Sequence, residues 1–233
     1  MWMSHYKLEG HELKLLEMTD GEFDHYMCIT YPAMFQDRTK SPKETCMHWG
    51  FSIGRGWRHV LDSACKKLLV IEKTTKIVCV FDQIKEKFGT ARFYCHSVFP
   101  EDVKMSDADW AGWESIIDGI VNQAEAYTEC VCEYLGTNYE AKDSVVSTGW
   151  IYGMSFEGFK AWTRSQQNAE TAETIISERQ KMYDARAVRI QLVDMLNSID
   201  SEEELPKVIE FLTKTSGREL IIDKLEKKNK ISS

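Results

Sequence analysis

The sequence predicts an α+β protein, with a small antiparallel sheet around a central β-hairpin, flanking helices and a helical carboxyl-terminal appendage. The run KIVCVFDQI is β-branched and aromatic, and TARFYC follows it after a glycine, which is typical of a hairpin. From about Lys160 the chain has no glycine or proline for more than thirty residues, and its apolar residues recur at helical spacing. We therefore expect an α+β domain over residues 1–160 and a helical region over 161–233.

Two helices are predicted before the hairpin. In SPKETCMHWG, Ser41 is an N-cap with Pro42 at the first helical position, Glu44 completes a capping box, and Gly50 lies past the end. The turn GRGW then leads into the helix WRHVLDSACKKLL. Its apolar face consists of Val60, Leu61, Ala64, Cys65 and Leu68.

The hairpin is predicted to turn at Gly89. By the two-residue period of a strand, Gln83, Lys85 and Lys87 share one face, and Asp82, Ile84 and Glu86 share the other. Its aromatic residues Phe88, Phe93 and Tyr94 are expected to pack in the core. We interpret Lys85, Lys87, Glu86 and Arg92 as a solvated charge ladder, with a working surface as the alternative.

A long helix is predicted after the hairpin, from Asp107 as N-cap to a stop at Gly136. It carries an apolar stripe of Trp110, Trp113, Ile117, Ile120, Val121, Ala124 and Tyr127. A stripe of this kind is usually core. Trp110 and Trp113 could alternatively be exposed anchors for a partner, because tryptophan is enriched at interface hot spots.

Composition favours a cytoplasmic globular protein. The 233 residues include 29 Lys and Arg against 37 Asp and Glu, a net charge of −8 that disfavours extensive nucleic-acid binding. No apolar run reaches the roughly 20 residues of a membrane span, and the amino terminus has no secretory apolar core. The seven cysteines, an odd number without disulfide spacing, are expected to stay reduced.

The sequence contains no recognisable catalytic or metal-binding pattern. The six histidines show no metal-ligand spacing, and GRGW is too short for a dinucleotide loop. The acidic cluster of Glu17, Asp20, Glu22 and Asp24 is interpreted as a solvated turn around Gly21. We therefore predict no catalytic residue, no metal and no cofactor, although an enzyme with an unrecognised site stays a third hypothesis.

Five segments resemble a family of uncharacterised proteins of tailed bacteriophages. They are YPAMF, GFSIGRGWRHVLDSACKKL, QIKEKFGTARFY, AEAYTECVCEYLG and WIYGMSF. The region from the first segment to the last, residues 31–156, is somewhat more than half the chain. The most specific is the hairpin pattern Lys-x-Lys-Phe-Gly-x-x-Arg-Phe-Tyr, matched by Lys85, Lys87, Phe88, Gly89, Arg92, Phe93 and Tyr94. The resemblance implies a phage accessory protein in the host cytoplasm.

One family motif is degenerate in this chain. Relatives carry Cys-Glu-x-Cys-Gly and a later cysteine, which look like a small zinc ribbon. Here the corresponding residues are Cys132, Glu133, Tyr134, Leu135 and Gly136, and Ser155 follows Trp150-Ile151. Because a closed zinc site needs four ligands, we expect no stoichiometric zinc and a packing role for WIYG.

The first functional hypothesis is binding, without catalysis, to a host or anti-phage-defence protein that is thereby modulated or inhibited. The second is nucleic-acid association through a local basic patch. That patch would consist of Arg55, Arg58, Lys85, Lys87 and Arg92, which are candidate interaction residues together with the possible partner anchors Trp110 and Trp113. The first hypothesis rests on the resemblance, the acidic net charge, the lack of a catalytic motif and the helical appendage. The apolar stripe of the helical region, continued by two short helices expected within 201–233, also predicts a homodimer or a partner contact.

Overall fold

The central sheet has three strands and is mixed. The computed structural model describes residues 8–99, 105–139, 144–147 and 150–197. Strand β1 (Phe51–Ser52) pairs in parallel with β2 (Val78–Lys87), which pairs antiparallel with β3 (Thr90–Val98) in the order β1-β2-β3. The α+β class and the hairpin are confirmed. The purely antiparallel sheet is wrong, because the short strand after Gly50 runs alongside β2 in the same direction.

Helices make up most of the remaining described chain. The α-helices are α1 (His11–Glu17), α2 (Asp20–Thr30), α3 (Arg58–Thr75), α4 (Asp107–Thr128), α5 (Phe156–Gln166) and α6 (Ala169–Asn197). Short 3-10 helices cover Gln36–Thr39, Cys46–Trp49 and Arg55–Trp57. A second antiparallel pair is formed by β4 (Ser144–Ser147) and β5 (Trp150–Ser155).

Asp20, Glu22 and Asp24 of the amino-terminal acidic cluster lie in the first turns of α2, and Glu17 is the last residue of α1, so the predicted turn around Gly21 is wrong. Thr19 caps α2: its hydroxyl accepts a hydrogen bond from the Glu22 N–H, and the Glu22 carboxylate accepts one from the Thr19 N–H at 2.8 Å. The helix tolerates Gly21 because this residue falls in its first turn. The acidic neighbours stabilise the same turn through their attraction to the positive end of the helix dipole.

The predicted helix at 41–49 is a single turn followed by a 3-10 helix. Half of the predicted capping box forms, since the Ser41 N–H donates to a Glu44 carboxylate oxygen at 3.2 Å, whereas the Glu44 N–H donates to the Ser41 carbonyl. Thr45 then becomes extended and caps the next turn by accepting from the Met47 N–H at 3.1 Å, which interrupts the α-helix. Gly50, with φ of 77°, ends the segment as expected.

Helix α3 and the hairpin enclose the core as the sequence predicts. All five residues of the predicted apolar face of α3 are buried, and Trp57, just before the helix, is fully buried. The helix continues to Thr75, so the polar stretch EKTTK is its last turns and not a connection. Lys76 in the left-handed region, with φ of 68°, closes it.

Helix α4 is shorter than predicted at its carboxyl end. Ser106, not Asp107, is the N-cap, and its hydroxyl accepts from the Asp109 N–H at 3.2 Å. The helix ends at Thr128, and the chain continues into a tight loop, the knuckle, over residues 130–139. Gly136 supports a positive φ of 69° within this loop instead of a helix stop.

The chain separates into two compact units, residues 1–168 and 169–233. Lys160, where the sequence suggests the change of texture, lies inside α5. The second unit begins with the 29-residue helix α6. The two short helices expected within 201–233 lie outside the described residues. Within the described part of the chain, no helix has the length and hydropathy to cross a membrane.

Candidate functional site

The inner face of the hairpin belongs to the core. Ile84 and Phe93 stand opposite each other on β2 and β3, and both are buried. The core position predicted for Phe93 is confirmed. The same prediction is wrong for Phe88 and Tyr94, whose side chains are 56% and 43% exposed. Tyr94 follows Phe93 directly and so points to the other side of the sheet, and Phe88 lies in the turn.

The outer face of the hairpin is basic and aromatic. The strand register pairs Gln83 with Tyr94, Lys85 with Arg92 and Lys87 with Thr90, so these side chains share one side of the sheet. We call the set of Gln83, Lys85, Lys87, Phe88, Arg92 and Tyr94 the hairpin face. The predicted grouping of the two lysines is confirmed, although a β-bulge between Phe81 and Gln83 shifts the register before it.

Two cations stand directly across from each other on the hairpin face. Lys85 and Arg92 are register partners, an arrangement that destabilises an antiparallel pair. The Lys85 ammonium lies 5.0 Å from the centre of the Tyr94 ring, and Arg92 lies 3.6 Å from a Glu125 carboxylate oxygen. Glu86 takes no part, because its carboxylate accepts from the Gly89 N–H at 2.7 Å. The predicted ladder including Glu86 is therefore wrong.

The turn of the hairpin places an aromatic residue in a backbone conformation that suits glycine. Phe88 and Gly89 have φ of 55° and 80°, the positive values that a two-residue type I′ turn requires at both central positions. Asn-Gly is the preferred pair there, and a bulky residue with positive φ is an outlier. Such strained positions concentrate at functional sites, and this one presents a phenylalanine to solvent.

Backbone N–H groups on the outer edge of β3 are already hydrogen-bonded beside the hairpin face. The Ala91 N–H donates to the Thr128 hydroxyl at 2.9 Å, and the Phe93 N–H donates to a Glu125 carboxylate oxygen at 2.6 Å. These side chains of α4 occupy donors that an added strand would need. A partner at this part of the hairpin must therefore bind the face and not extend the sheet.

A second group of motif residues meets beneath the turn of the hairpin. Gly54 donates to the Glu133 carboxylate at 2.9 Å, and Gly56 donates to the Glu133 carbonyl at 2.6 Å. A Cβ on Gly153 would lie 2.8 Å from the Gly89 carbonyl oxygen. Burial and the nearby charge of Glu86 raise the pKa of Glu133 to about 7, against the lowering effect of the Gly54 N–H. The glycines are needed here because backbone approaches backbone.

The two predicted interaction arginines before α3 have different surroundings. Arg55 is half-buried, with its guanidinium 3.9 Å from the centre of the Tyr134 ring and its Nε donating to the Tyr134 carbonyl. Arg58 is buried, and it donates to the carbonyl oxygens of Leu15 and Met18 and pairs with Asp20. Its assignment to a surface patch is wrong, because these contacts use the guanidinium to fix the start of α2.

The tryptophans of α4 support the core interpretation over the anchor interpretation. Trp110 and Trp113 are partly buried and pack against the core cluster. Trp110 meets the Phe99 ring edge-on at 5.2 Å between ring centres. Ile117, Val121 and Ala124 continue the same stripe as buried residues, whereas Tyr127 at its end is 36% exposed.

The knuckle and the end of β5 bring together the three positions at which the resemblance would predict zinc ligands in relatives. A Cβ on Gly158 would lie 2.3 Å from Cys132 Sγ, 3.3 Å from Ser155 Oγ and 3.6 Å from Leu135 Cγ. Cys132 supplies the single thiol among these three side chains, and its sulfur accepts from the Leu135 N–H at 3.5 Å. Among the residues that the structure describes, no group of three or more His, Cys, Asp and Glu side chains could hold a metal ion.

The buried carboxylate of Asp62 joins the first three helices, and we call it the carboxylate hub. The sequence pattern did not predict it. Asp62 of α3 accepts from the hydroxyls of Tyr26 and Tyr31 at 2.8 and 2.7 Å. It also contacts Lys66 at 2.7 Å and His11 at 3.2 Å. The side chains lie up to 51 residues apart in sequence, so no local spacing reveals them. The Asp62 carboxylate thus has several hydrogen-bonding and charged partners, which is typical of a buried charge with a structural role.

Comparisons with protein-family models, with curated proteins and with solved structures find no match to this chain. Function is therefore inferred from the geometry of the sites themselves.

Proposed function

We propose that the protein acts without catalysis, by binding an acidic surface of another protein through its hairpin face. The observation that carries the proposal is the exposed, strained Phe88 at the end of a face that also presents Lys85, Lys87 and Tyr94. An accessible aromatic residue beside several cations is typical of a binding surface, since aromatic and arginine side chains dominate interface hot spots.

The charge of the hairpin face points to an acidic partner. Lys85, Lys87 and Arg92 lie together on a chain whose net charge is −8. Glu125 already lies 3.6 Å from Arg92, so an anionic group on a partner would act chiefly on Lys85 and Lys87, which contact the rings of Tyr94 and Phe88. Acidic side chains on a partner would therefore gain from this arrangement and would be steered to this face.

The partner class follows from the resemblance to proteins of tailed bacteriophages. On that basis, the proposed partner is a host protein or a component of an anti-phage defence, and binding would modulate or inhibit it in the host cytoplasm. A homodimer through the carboxyl-terminal helices stays a prediction alongside this one.

Single-stranded nucleic acid is the second candidate, because basic grooves with aromatic platforms also bind bases and phosphates. The acidic net charge and the burial of Arg58, which leaves fewer cations on the surface, favour a protein partner. A gel-shift assay at low and moderate salt separates the two, since a nucleic-acid complex weakens steeply with salt.

The test compares two double charge reversals. Lys85→Glu with Lys87→Glu alters the hairpin face, and Lys67→Glu with Lys73→Glu makes the same change on exposed lysines of α3. A partner enriched from host lysate and then purified should bind the first variant about tenfold or more weakly, and the second variant normally. Equal binding by both would refute the proposal, and a single-stranded DNA shift lost only in the first variant would favour nucleic acid.

Phe88→Asn tests whether the strained turn is retained for binding. It creates the preferred Asn-Gly turn and should stabilise the fold by about 1 kcal/mol, because asparagine tolerates positive φ. Partner binding should weaken at the same time. If the variant is more stable and binds the partner equally well, Phe88 is not part of the interface.

A further inference from the structure

A small cleft with an aromatic wall lies at the start of α2. It has a volume of about 290 Å³, and its apolar lining includes Phe23, Phe51 and Ile53. Phe23 and Phe51 meet edge-on at 5.4 Å between ring centres. The volume is just below the roughly 300–1,000 Å³ of small-molecule pockets, which suits a single heterocycle better than a larger ligand.

Trp49 forms one wall of the cleft and is 71% exposed. Its ring stands perpendicular to that of His48 at 5.3 Å between ring centres. Tryptophan is highly buried on average, so an exposed one at the mouth of a cavity points to a stacking surface for a flat ligand. Gly50, which follows it with φ of 77°, fixes the path of the chain at this wall.

The polar wall of the cleft offers donors and acceptors side by side. Arg38 donates from Nε to Asp24 Oδ1 and from Nη1 to the His48 carbonyl, both at 2.7 Å. Its Nη2 lies 3.2 Å from where a Cβ on Gly50, another lining residue, would be. Asp20 and Arg58 form a second pair in the lining. The two carboxylates and two guanidiniums balance in charge, so the cleft does not select a simple anion or cation.

We propose that this cleft binds a guanine base, stacked on Trp49 with its polar edge toward Asp24 and Arg38. Guanine carries a carbonyl acceptor next to ring and amino donors on one edge, and arginine and carboxylate side chains are complementary to these groups. Adenine has an amino donor where guanine has the carbonyl, so Arg38 would oppose it. The proposal rests on different residues from the hairpin face and stands independently of it.

The base could come from a free nucleotide or from single-stranded nucleic acid. Isothermal titration of the full chain with GMP, AMP and CMP tests the chemistry, and a short oligonucleotide with one dG, compared with the same strand carrying dA, tests the second source. We expect GMP to bind about tenfold or more tightly than AMP. If the dG strand binds and GMP does not, the base is read within nucleic acid, which also supports the site.

Trp49→Ala should weaken GMP binding about tenfold or more, because stacking on one aromatic side chain contributes that much for each base. The side chain is exposed, so the variant should fold normally. Tyr127→Ala, which removes another exposed aromatic residue outside the cleft lining, is the matched control and should bind GMP as the unaltered chain does.

Asp24→Asn keeps the size of the side chain and replaces one acceptor by a donor, so it should reduce the preference for GMP over AMP. Three results would overturn the proposal: no binding of GMP or of the dG strand at millimolar concentration, equal binding of GMP, AMP and CMP, or tighter binding of arginine methyl ester than of GMP. The last result would mean that the carboxylates of the cleft recognise a cation.

Discussion

Asp62 and Glu133 are both buried carboxylates, and their surroundings shift their pKa values in opposite directions. Burial alone would raise the pKa of Asp62, but hydrogen bonds from Lys66, Tyr31 and Tyr26 outweigh it and lower the pKa. The pKa of Glu133 is raised to about 7, because burial and the nearby charge of Glu86 outweigh the hydrogen bond from one backbone donor. Burial acts to raise the pKa of both groups, and Asp62 differs in having several donors and a cation beside it, whereas Glu133 has an anion nearby.

The two carboxylates therefore contribute differently to the fold. Asp62 is held as an anion by donors from several helices, so its charge supports the packing of α1 and α2 against α3. Glu133 connects the knuckle to the Gly54 turn, but its charged form is costly near neutral pH. Four changes test this contrast, from the largest expected effect to the smallest.

Asp62→Ala should destabilise the protein by about 3–5 kcal/mol, because it leaves a buried tyrosine hydroxyl and other donors without their acceptor. Urea unfolding followed by tryptophan fluorescence measures the change. Asp118→Ala, at an exposed position of α4, is the control and should stay within about 0.5 kcal/mol of the unaltered protein. A loss below about 1 kcal/mol would show that Asp62 is not the hub that joins these helices.

The pH dependence of stability should separate the two carboxylates. The pKa of Glu133 is raised from 4.5 to about 7, so the folded state binds more protons between these values and its contribution falls as pH rises. The full effect is about 3 kcal/mol, and Glu133→Gln should remove it. Because the pKa of Asp62 is lowered, its contribution should instead be lost as pH falls below 3.8.

Unfolding at pH 5 and pH 8 provides the measurement for Glu133. The stability of the unaltered protein relative to Glu133→Gln should be higher at pH 5 than at pH 8. The same difference at both pH values would contradict the raised pKa, and a reversed slope would indicate that Glu133 is stabilised as an anion.

Tyr31→Phe should cost about 1.5–3 kcal/mol, since it removes one buried hydrogen bond to the Asp62 carboxylate while preserving the ring. Tyr26→Phe is the matched comparison, because its hydroxyl donates to the same oxygen but lies closer to solvent. Tyr26→Phe should cost less than Tyr31→Phe in thermal unfolding, and the opposite order would mean that burial does not control the strength of these bonds.

Lys66→Ala should have the smallest effect, under about 1 kcal/mol. Its ammonium pairs with Asp62 at 2.7 Å one turn along α3, but the lysine side chain is 56% exposed and water can replace it. A loss as large as that of Tyr31→Phe would show that the ion pair, and not the tyrosine hydrogen bonds, keeps Asp62 charged.

The elements with strong local patterns are the ones that the sequence predicts well. The β-branched run before Gly89 and the apolar face from Val60 to Leu68 form the hairpin and α3 as expected. The boundaries are less well predicted, because the hydroxyls of Thr45 and Thr128 bond both to the chain nearby and to residues 37 positions away in sequence. The burial of Arg58 could not be predicted, since its acceptors come from residues about 40 positions away.

The sequence by itself determined the hairpin, its alternating faces, the amphipathic α3 and the absence of a recognisable catalytic motif. Periodicity and turn residues act over a few positions, so these features are readable without a structure. Only the tertiary structure decided that Tyr94 and Phe88 are exposed, that Arg58 is internal, and that Asp62 and Glu133 have opposite pKa shifts. Burial and charge depend on contacts between distant segments, and the chain makes those contacts only when it folds.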